Sequence, residues 1–299
     1  MYTTYSLEKG GGFLRITCVC TGNTCRSPMA AALLRLWLDE RGLCFVQADS
    51  AGLAADGSAV ADNACDALTA VGLSPLRADS VPLTREVFDA TDVFLVMSPA
   101  HKQYLLAAGA DEAAVVVLGG GIPDPFGCDA EVYAATRDRL AQAIADWGEA
   151  QFPVAIRPLA ARHLPALAEI ERVCFSQPWS EEALREELSN PTARFFVAEQ
   201  AGEAVGYIGC HFAADEGAIT NVAVAPSARR QGVGRLLLDA LLFAANAEKI
   251  GSIFLEVRVS NIPAKALYQS RGFVSCGVRP RFYTAPVEDG EIFCWTAKE

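Results

Sequence analysis

Two short segments of this chain combine residue types and spacings that could do chemistry. The first is Cys20-Thr21-Gly22-Asn23-Thr24-Cys25-Arg26-Ser27-Pro28. It follows Phe13 to Val19, an apolar, β-branched run that reads as a buried strand. A helical pattern runs on from Pro28 to Glu40, and proline suits the first helical position. A strand, a tight polar loop and a helix start aim unpaired backbone N–H groups at one point, which is an anion cradle. A cysteine at the mouth of such a cradle is favoured as the thiolate. Arg26 can close the loop with a planar fork matched to phosphate oxygens. Gly22 and Asn23 tolerate the left-handed backbone that such a loop needs.

The second segment is Arg229-Arg230-Gln231-Gly232-Val233-Gly234-Arg235, set between a strand that ends at Val224 and an apolar helix from Leu236 to Glu248. Its glycines allow close backbone approach, and the helix start favours an anion, so the segment reads as a pyrophosphate cradle.

The elements that must position these segments alternate along the chain. Phe45 to Asp49 and Val93 to Met97 read as further strands of the first half, and Ala130 to Trp147 as a helix ending near Gly148. Gln151-Phe152-Pro153-Val154 then breaks the pattern, which places a domain boundary near residue 151. The second half reads as a strand at Ala155 to Pro158, a helix at His163 to Cys174, and a helix capped by Ser180 with Glu181 and Glu182 in its first turn. Arg194 to Glu199 and Ala204 to Phe212 flank Ala201-Gly202-Glu203 as a hairpin, and Ala218 to Val224 is the next strand. The expected domains are 13–150 and 151–299, behind a disordered leader at 1–12.

Bulk properties narrow the function. A chain of 299 residues exceeds one ordinary α/β core, and two domains are expected. The formal net charge of -11 argues against general nucleic-acid binding, because no basic excess is there to neutralise a phosphate backbone. No apolar run reaches the ~18 residues of a membrane span, and Met1 to Gly12 lacks the apolar core of a secretory signal. The ten cysteines are scattered, no C-x-x-C pair exists, and there are only three histidines, so neither a disulfide scaffold nor a metal site is expected. Buried thiols in a reducing, cytoplasmic setting fit Cys65, Cys174, Cys210 and Cys294.

The string V-C-T-G-N-T-C-R-S-P, with Ile122-Pro123-Asp124-Pro125-Phe126-Gly127 far downstream, resembles the low-molecular-weight protein tyrosine phosphatase family over residues 13 to about 149. The resemblance implies a doubly wound, four-stranded parallel sheet. It makes Cys20 the nucleophile, Arg26 the group that steadies the transferring oxygens, Ser27 a hydrogen-bond partner of the thiolate, and Asp124 the acid and then the base. Thr21, Gly22, Asn23, Thr24, Cys25 and Phe126 would bind the substrate. Ser50-Ala51-Gly52 and His101-Lys102-Gln103 also match the family, and read here as loop and cap residues. Thr24 stands where tyrosine phosphatases of this family carry a bulky aliphatic residue. With Phe126-Gly127 it resembles the bacterial protein arginine phosphatase branch, which cleaves a P–N bond. A phosphotyrosine phosphatase is the alternative, and so is a half that only binds. The arsenate reductases of the same fold need a downstream pair of resolving cysteines, and none lies between Cys65 and Cys128. Cys25 could trap an oxidised Cys20 as a disulfide.

Residues 155 to 299 resemble the Gcn5-related N-acetyltransferase (GNAT) family, on the strand–R-x-x-G-x-G–helix context. Phe254-Leu255-Glu256-Val257-Arg258, Ser260-Asn261, Ala266-Leu267-Tyr268, Gly272-Phe273, Arg281-Phe282-Tyr283 and Pro286 resemble ribosomal-protein-alanine N-acetyltransferases within it, as does Pro178-Trp179-Ser180 on the substrate side. The resemblance implies a mixed α/β GNAT fold with acetyl-CoA as co-substrate and no metal. Val222, Val224, Arg229, Arg230, Gln231, Gly232, Val233, Gly234, Arg235 and Asn261 would hold the cofactor. Glu256 would be the general base and Tyr268 the general acid. The expected partners are phosphorylated proteins and the N-terminus of a small-subunit ribosomal protein, with neither nucleic acid nor membrane.

Overall fold

In a computed structural model, which describes residues 13–297, the chain divides into two units, Met1–Phe152 and Pro153–Glu299. The leader expected at 1–12 lies outside the described residues.

The first unit runs β1 (Arg15–Cys20), α1 (Arg26–Glu40), β2 (Gln47–Gly52), α2 (Asp62–Thr69), α3 (Arg85–Ala90), β3 (Val93–Val96), α4 (Pro99–Ala107), β4 (Val115–Val117) and α5 (Ala130–Gln151). The strands form one parallel sheet in the order β2-β1-β3-β4. Strands buried on both faces read as continuous apolar runs, as β1 and β3 do. From β1 the chain passes outward to β2 and then returns to the other side of β1 for β3. This reversal opens a crevice beyond the carboxyl ends of β1 and β3, the usual ligand position in such sheets.

Several boundaries differ from the sequence expectation, and three of them have a local physical reason or consequence. Helix α1 begins at Arg26 rather than Pro28, and the proline sits inside the first turn, where its missing N–H has no intrahelical acceptor anyway. Strand β2 starts at Gln47; Phe45 and Val46 are buried without pairing into the sheet. Helix α5 continues past Gly148 to Gln151. That glycine serves packing: a Cβ there would lie 2.6 Å from the Trp37 ring.

The second unit runs β5 (Ala155–Pro158), α6 (Leu164–Cys174), α7 (Glu181–Glu186), β6 (Ala193–Gln200), β7 (Glu203–Ala213), β8 (Glu216–Val224), α8 (Val233–Ala247), β9 (Ser252–Arg258), α9 (Ile262–Gln269), β10 (Val274–Thr284) and β11 (Val287–Thr296). Its seven-stranded sheet has the order β10-β11-β9-β8-β7-β6-β5. All pairs are antiparallel except β8 with β9. Successive residues of β7, Tyr207 and Ile208, are both fully buried, so both faces of the sheet are covered. Helices α6 and α7 cover the face that carries Phe195, Val197, Tyr207 and Ala223.

The β8–β9 ladder is short. It pairs only Glu216 to Ala218 with Ser252 to Phe254, while β8 runs on to Val224 and β9 to Arg258. A bulge at Thr220 helps to turn β8 away, since its register with β7 shifts between Asn221 and Ile219. The two strands therefore part in the middle of the sheet.

Candidate active sites

The crevice of the first unit is closed by the loop from Thr21 to Cys25. Its carbonyls are tied outward: Leu53 N–H donates to the Cys20 oxygen at 3.0 Å, Ala54 to Thr21 at 2.8 Å, and Ala61 to Thr24 at 2.9 Å. With those oxygens engaged outside, the loop's amides are left to face inward. Asn23, at φ +55°, donates its N–H to Cys20 Sγ at 3.3 Å. Its side chain is also fixed, because Oδ1 accepts from Val81 N–H at 2.7 Å and Nδ2 donates to Ser27 Oγ at 2.8 Å. That second bond occupies a lone pair of Ser27 and leaves its hydroxyl proton two acceptors, Cys20 Sγ at 3.0 Å and the Ala51 carbonyl oxygen at 3.4 Å.

Cys20 is nearly buried, and with Thr24, Arg26, Asp124 and Phe126 it lines an open pocket of about 290 Å³. Arg26 donates to the Ile122 carbonyl at 3.2 Å and pairs with the Asp124 carboxylate. Asp124 also accepts from Phe126 N–H at 3.3 Å, which turns the residue toward the pocket. Phe126 is 76% exposed, a bare aromatic wall at the mouth. Cys25 lies 3.1 Å from the buried hydroxyl of Tyr133, a partner that no motif signalled.

Two features read from sequence as loop and cap residues support the cradle directly. Gly52 passes so close beneath the loop that a Cβ would sit 2.8 Å from the Thr21 oxygen and 2.9 Å from Asn23 Cβ. His101 is buried, with Nε2 3.0 Å from Thr21 Oγ1. Loss of water, and then the Arg26 charge, hold its imidazole below the ordinary value of 6.5, with Asp124 opposing. Ser98 caps α4 by accepting from His101 N–H at 3.2 Å, which turns the ring toward the crevice.

In the second unit the start of α8 lies against the parted end of β8, where a Cβ on Gly234 would sit 3.8 Å from Val224. Gly232, at φ +82°, caps this helix without a side-chain acceptor, and Arg230 before it is also left-handed at φ +65°. The first-turn N–H groups of α8 have no intrahelical acceptor and suit an anion. Arg229 Nε donates to the Val224 carbonyl at 3.0 Å and Gln231 Nε2 to the Ser227 carbonyl at 3.0 Å, so both side chains brace the loop itself. Gly234 packs close, where a Cβ would lie 3.2 Å from Leu267. Arg235 is half-buried, and burial followed by the Arg271 charge lowers its basicity. Val222 and Val224 lie on the part of β8 that has left β9. Asn261 caps α9, its Oδ1 accepting from Ala264 N–H at 3.2 Å.

That helix carries Tyr268, buried among Phe273 and Phe293. Burial, and then the neighbouring Tyr283, push its phenol well above the ordinary range, so it holds its proton at any physiological pH. Glu256 is half-buried on β9, past the last pair with β8, and Arg279 Nη1 lies 2.9 Å from its Oε1. Tyr283 donates to the Glu256 backbone carbonyl at 3.0 Å and stacks under Arg258. Its motif was visible in the sequence, but no role came with it. Among the described residues, no cluster of His, Cys, Asp and Glu could hold a metal ion, and no helix is long and apolar enough to cross a membrane.

Comparison with known proteins matches each unit separately. The family model of low molecular weight phosphotyrosine protein phosphatases fits residues 15–151, and that of GNAT acetyltransferases fits residues 164–273. The protein-arginine-phosphatase of Bacillus subtilis (strain 168) is 38% identical over 131 residues, 41% of this chain and 86% of that protein. The ribosomal protein bS18-alanine N-acetyltransferase of Escherichia coli (strain K12) is 36% identical over 137 residues, 45% of this chain and 89% of that protein. The crystal structure of the ribosomal-protein-S18-alanine N-acetyltransferase from Escherichia coli superposes with a TM-score of 0.46 at 32% identity, over 49% of this chain and 95% of that one.

Proposed function

Since the chain belongs to two enzyme families, the low molecular weight phosphotyrosine protein phosphatases over residues 15–151 and the GNAT acetyltransferases over residues 164–273, we infer that it is a bifunctional enzyme of two chemically separate sites. The first removes phosphate from phosphoarginine in proteins. The second moves the acetyl group of acetyl-CoA to the α-amine of an N-terminal alanine on a ribosomal protein. Both work in the cytoplasm.

One observation carries the phosphatase reading: Cys20 Sγ accepts the Asn23 backbone N–H and lies 3.0 Å from Ser27 Oγ, in the pocket that Arg26 and Asp124 also line. The Cys20 thiolate attacks phosphorus, the S–P bond forms, and the bond to the leaving nitrogen breaks. Asp124 delivers its proton to that nitrogen. It then takes a proton from the water that cleaves the phosphocysteine, one carboxyl serving as acid and then base. The inward amides and Arg26 hold the phosphoryl oxygens as charge builds on them. The Arg26 fork that holds Asp124 is also the fork a phosphoryl dianion claims, so substrate binding frees the carboxyl for its task. Thr24 offers a hydroxyl beside the leaving group where an aliphatic side chain would crowd a guanidinium. Thr24→Ile tests this: the ratio of kcat/KM for phosphoarginine over phosphotyrosine peptides should fall, and an unmoved ratio removes Thr24 as the discriminator.

In the acetyltransferase the parting of β8 from β9, opposite the uncapped start of α8, fits an extended thioester arm ending in a pyrophosphate. The loop from Arg229 to Arg235 would hold the pyrophosphate, and the backbone of Val222 to Val224 the arm. Acetyl-CoA supplies the acetyl group when bound. Glu256 accepts the proton of the attacking α-amine, whose ordinary pKa near 8 asks only a modest base. Tyr268, kept protonated by burial, returns a proton to the departing sulfur.

A further inference from the structure

Glu171, near the end of α6, is fully buried, and its three hydrogen-bond partners are all neutral. A carboxylate taken out of water is costly unless hydrogen bonds replace its hydration. Oε2 accepts the backbone N–H of Trp179 at 2.7 Å, while Oε1 accepts the Tyr207 hydroxyl at 2.5 Å and Nδ2 of Asn221 at 3.1 Å. These partners lie on three different elements: the α6–α7 connection, β7 and β8.

Two of those elements, the connection and β8, also reach the surroundings of the second site. Trp179 belongs to the connection whose Ser176 hydroxyl donates to the Ala285 carbonyl in the β10–β11 turn. Arg258, next but one to Glu256, donates to that same carbonyl at 2.9 Å. The connection thus reaches the rim of the Glu256 site. Asn221, in turn, directly precedes Val222 on the parted stretch of β8. A single carboxylate ties the rim to that strand.

We propose that Glu171 is a positioning residue for acetyl transfer, setting the Phe175–Ser180 connection against β8 and so fixing the acceptor peptide relative to the acyl donor. The proposal rests on the acetyltransferase reading of this unit. Glutamine has the same shape but only one accepting oxygen, so Glu171→Gln must turn an N–H₂ toward a donor. Glu171 touches neither reacting atom, so its loss acts through the acceptor and leaves acetyl-CoA binding in place.

The test uses the full chain and an Ala-initiated peptide. Glu171→Gln should raise the peptide KM roughly tenfold, the scale of one broken buried hydrogen bond to a charge, while the acetyl-CoA Kd from calorimetry stays within about twofold. The double variant Glu171→Gln/Asn221→Asp exchanges donor and acceptor across the 3.1 Å pair, keeps the charge, and should restore most of the lost affinity. Should Glu171→Gln lose its cooperative thermal transition, Tyr207→Phe, which deletes one donor of three, should show the same split at smaller size. An unchanged peptide KM overturns the proposal. So does an acetyl-CoA Kd that worsens in step with it, the mark of a merely structural role, or an exchange variant no better than Glu171→Gln. Failure of the unmodified chain to acetylate the peptide would count against the acetyltransferase reading instead.

Discussion

The Oγ of Ser27 lies 3.0 Å from Cys20 Sγ, accepts from Asn23 Nδ2 at 2.8 Å, and has the Ala51 carbonyl oxygen 3.4 Å away as a second acceptor for its proton. With Asn23 donating to this oxygen, its proton is free for an acceptor, and an ionised sulfur at 3.0 Å outcompetes a neutral carbonyl at 3.4 Å. In the proposed phosphocysteine mechanism that bond would stabilise the thiolate, both as nucleophile and as leaving group. Ser27→Ala should lower kcat by ~10- to 100-fold, the worth of one hydrogen bond to a charged group, with little change in KM. Steady-state kinetics on a phosphoarginine peptide check this; a loss confined to KM would mean that Ser27 only shapes the binding site.

Gly52 limits what can stand beneath the loop. Gly52→Ala places a methyl 2.8 Å from the Thr21 oxygen and 2.9 Å from Asn23 Cβ, and since the oxygen is backbone, the loop itself must move. Overpacking of this kind costs about 1–3 kcal/mol. Urea unfolding should show a loss of that size, and phosphatase turnover should fall with it while acetyl transfer continues. A variant of full stability and rate would show that the loop is softer than its packing suggests.

His101 gives the first unit a pH dependence whose sign follows from its lowered pKa. In the unfolded chain the ring takes a proton near 6.5, while in the fold it resists protonation to lower pH. Stability from this group is complete above 6.5 and drains away as pH falls toward the folded value, because there the unfolded state binds more protons. His101→Gln should flatten the slope of unfolding free energy between about pH 5 and 7. An identical slope in the variant would mean that the ring titrates as it does in water.

The two candidate cradles, Cys20 to Pro28 and Arg229 to Arg235, were legible in the sequence because each sits at a strand–loop–helix junction, where residue type and position are both constrained. The family resemblance carried Asp124, Glu256 and Tyr268, which no local spacing connects to their partners. What escaped was the support. Gly52 and His101 act through neighbours distant in the chain, and their types are equally at home in ordinary turns and caps. Nothing in the sequence sets Glu171 apart from the other charges of α6; its burial does. Gly148 misled for the same reason, since a glycine that admits Trp37 reads like one that stops a helix.

Glu256 and Tyr268 should separate by pH. Glu256→Gln and Tyr268→Phe should each slow acetylation of an Ala-initiated peptide ~10²–10⁴-fold without much loss of acetyl-CoA binding. Raising the pH should recover part of the rate of Glu256→Gln, since more of the amine is then already neutral. It should not help Tyr268→Phe, where the missing proton is the one given to sulfur. Matching pH profiles would mean that the two roles are misassigned.

Whether one chain carries two independent chemistries can be read from paired rates on a single preparation. Dephosphorylation of a phosphoarginine peptide and acetylation of an Ala-initiated peptide are measured together for the unmodified chain, Cys20→Ser and Glu256→Gln. The unmodified chain should show both activities, Cys20→Ser should lose the first alone, and Glu256→Gln the second alone. Appreciable phosphatase turnover in Cys20→Ser, or undiminished acetyl transfer in Glu256→Gln, would contradict the bifunctional reading.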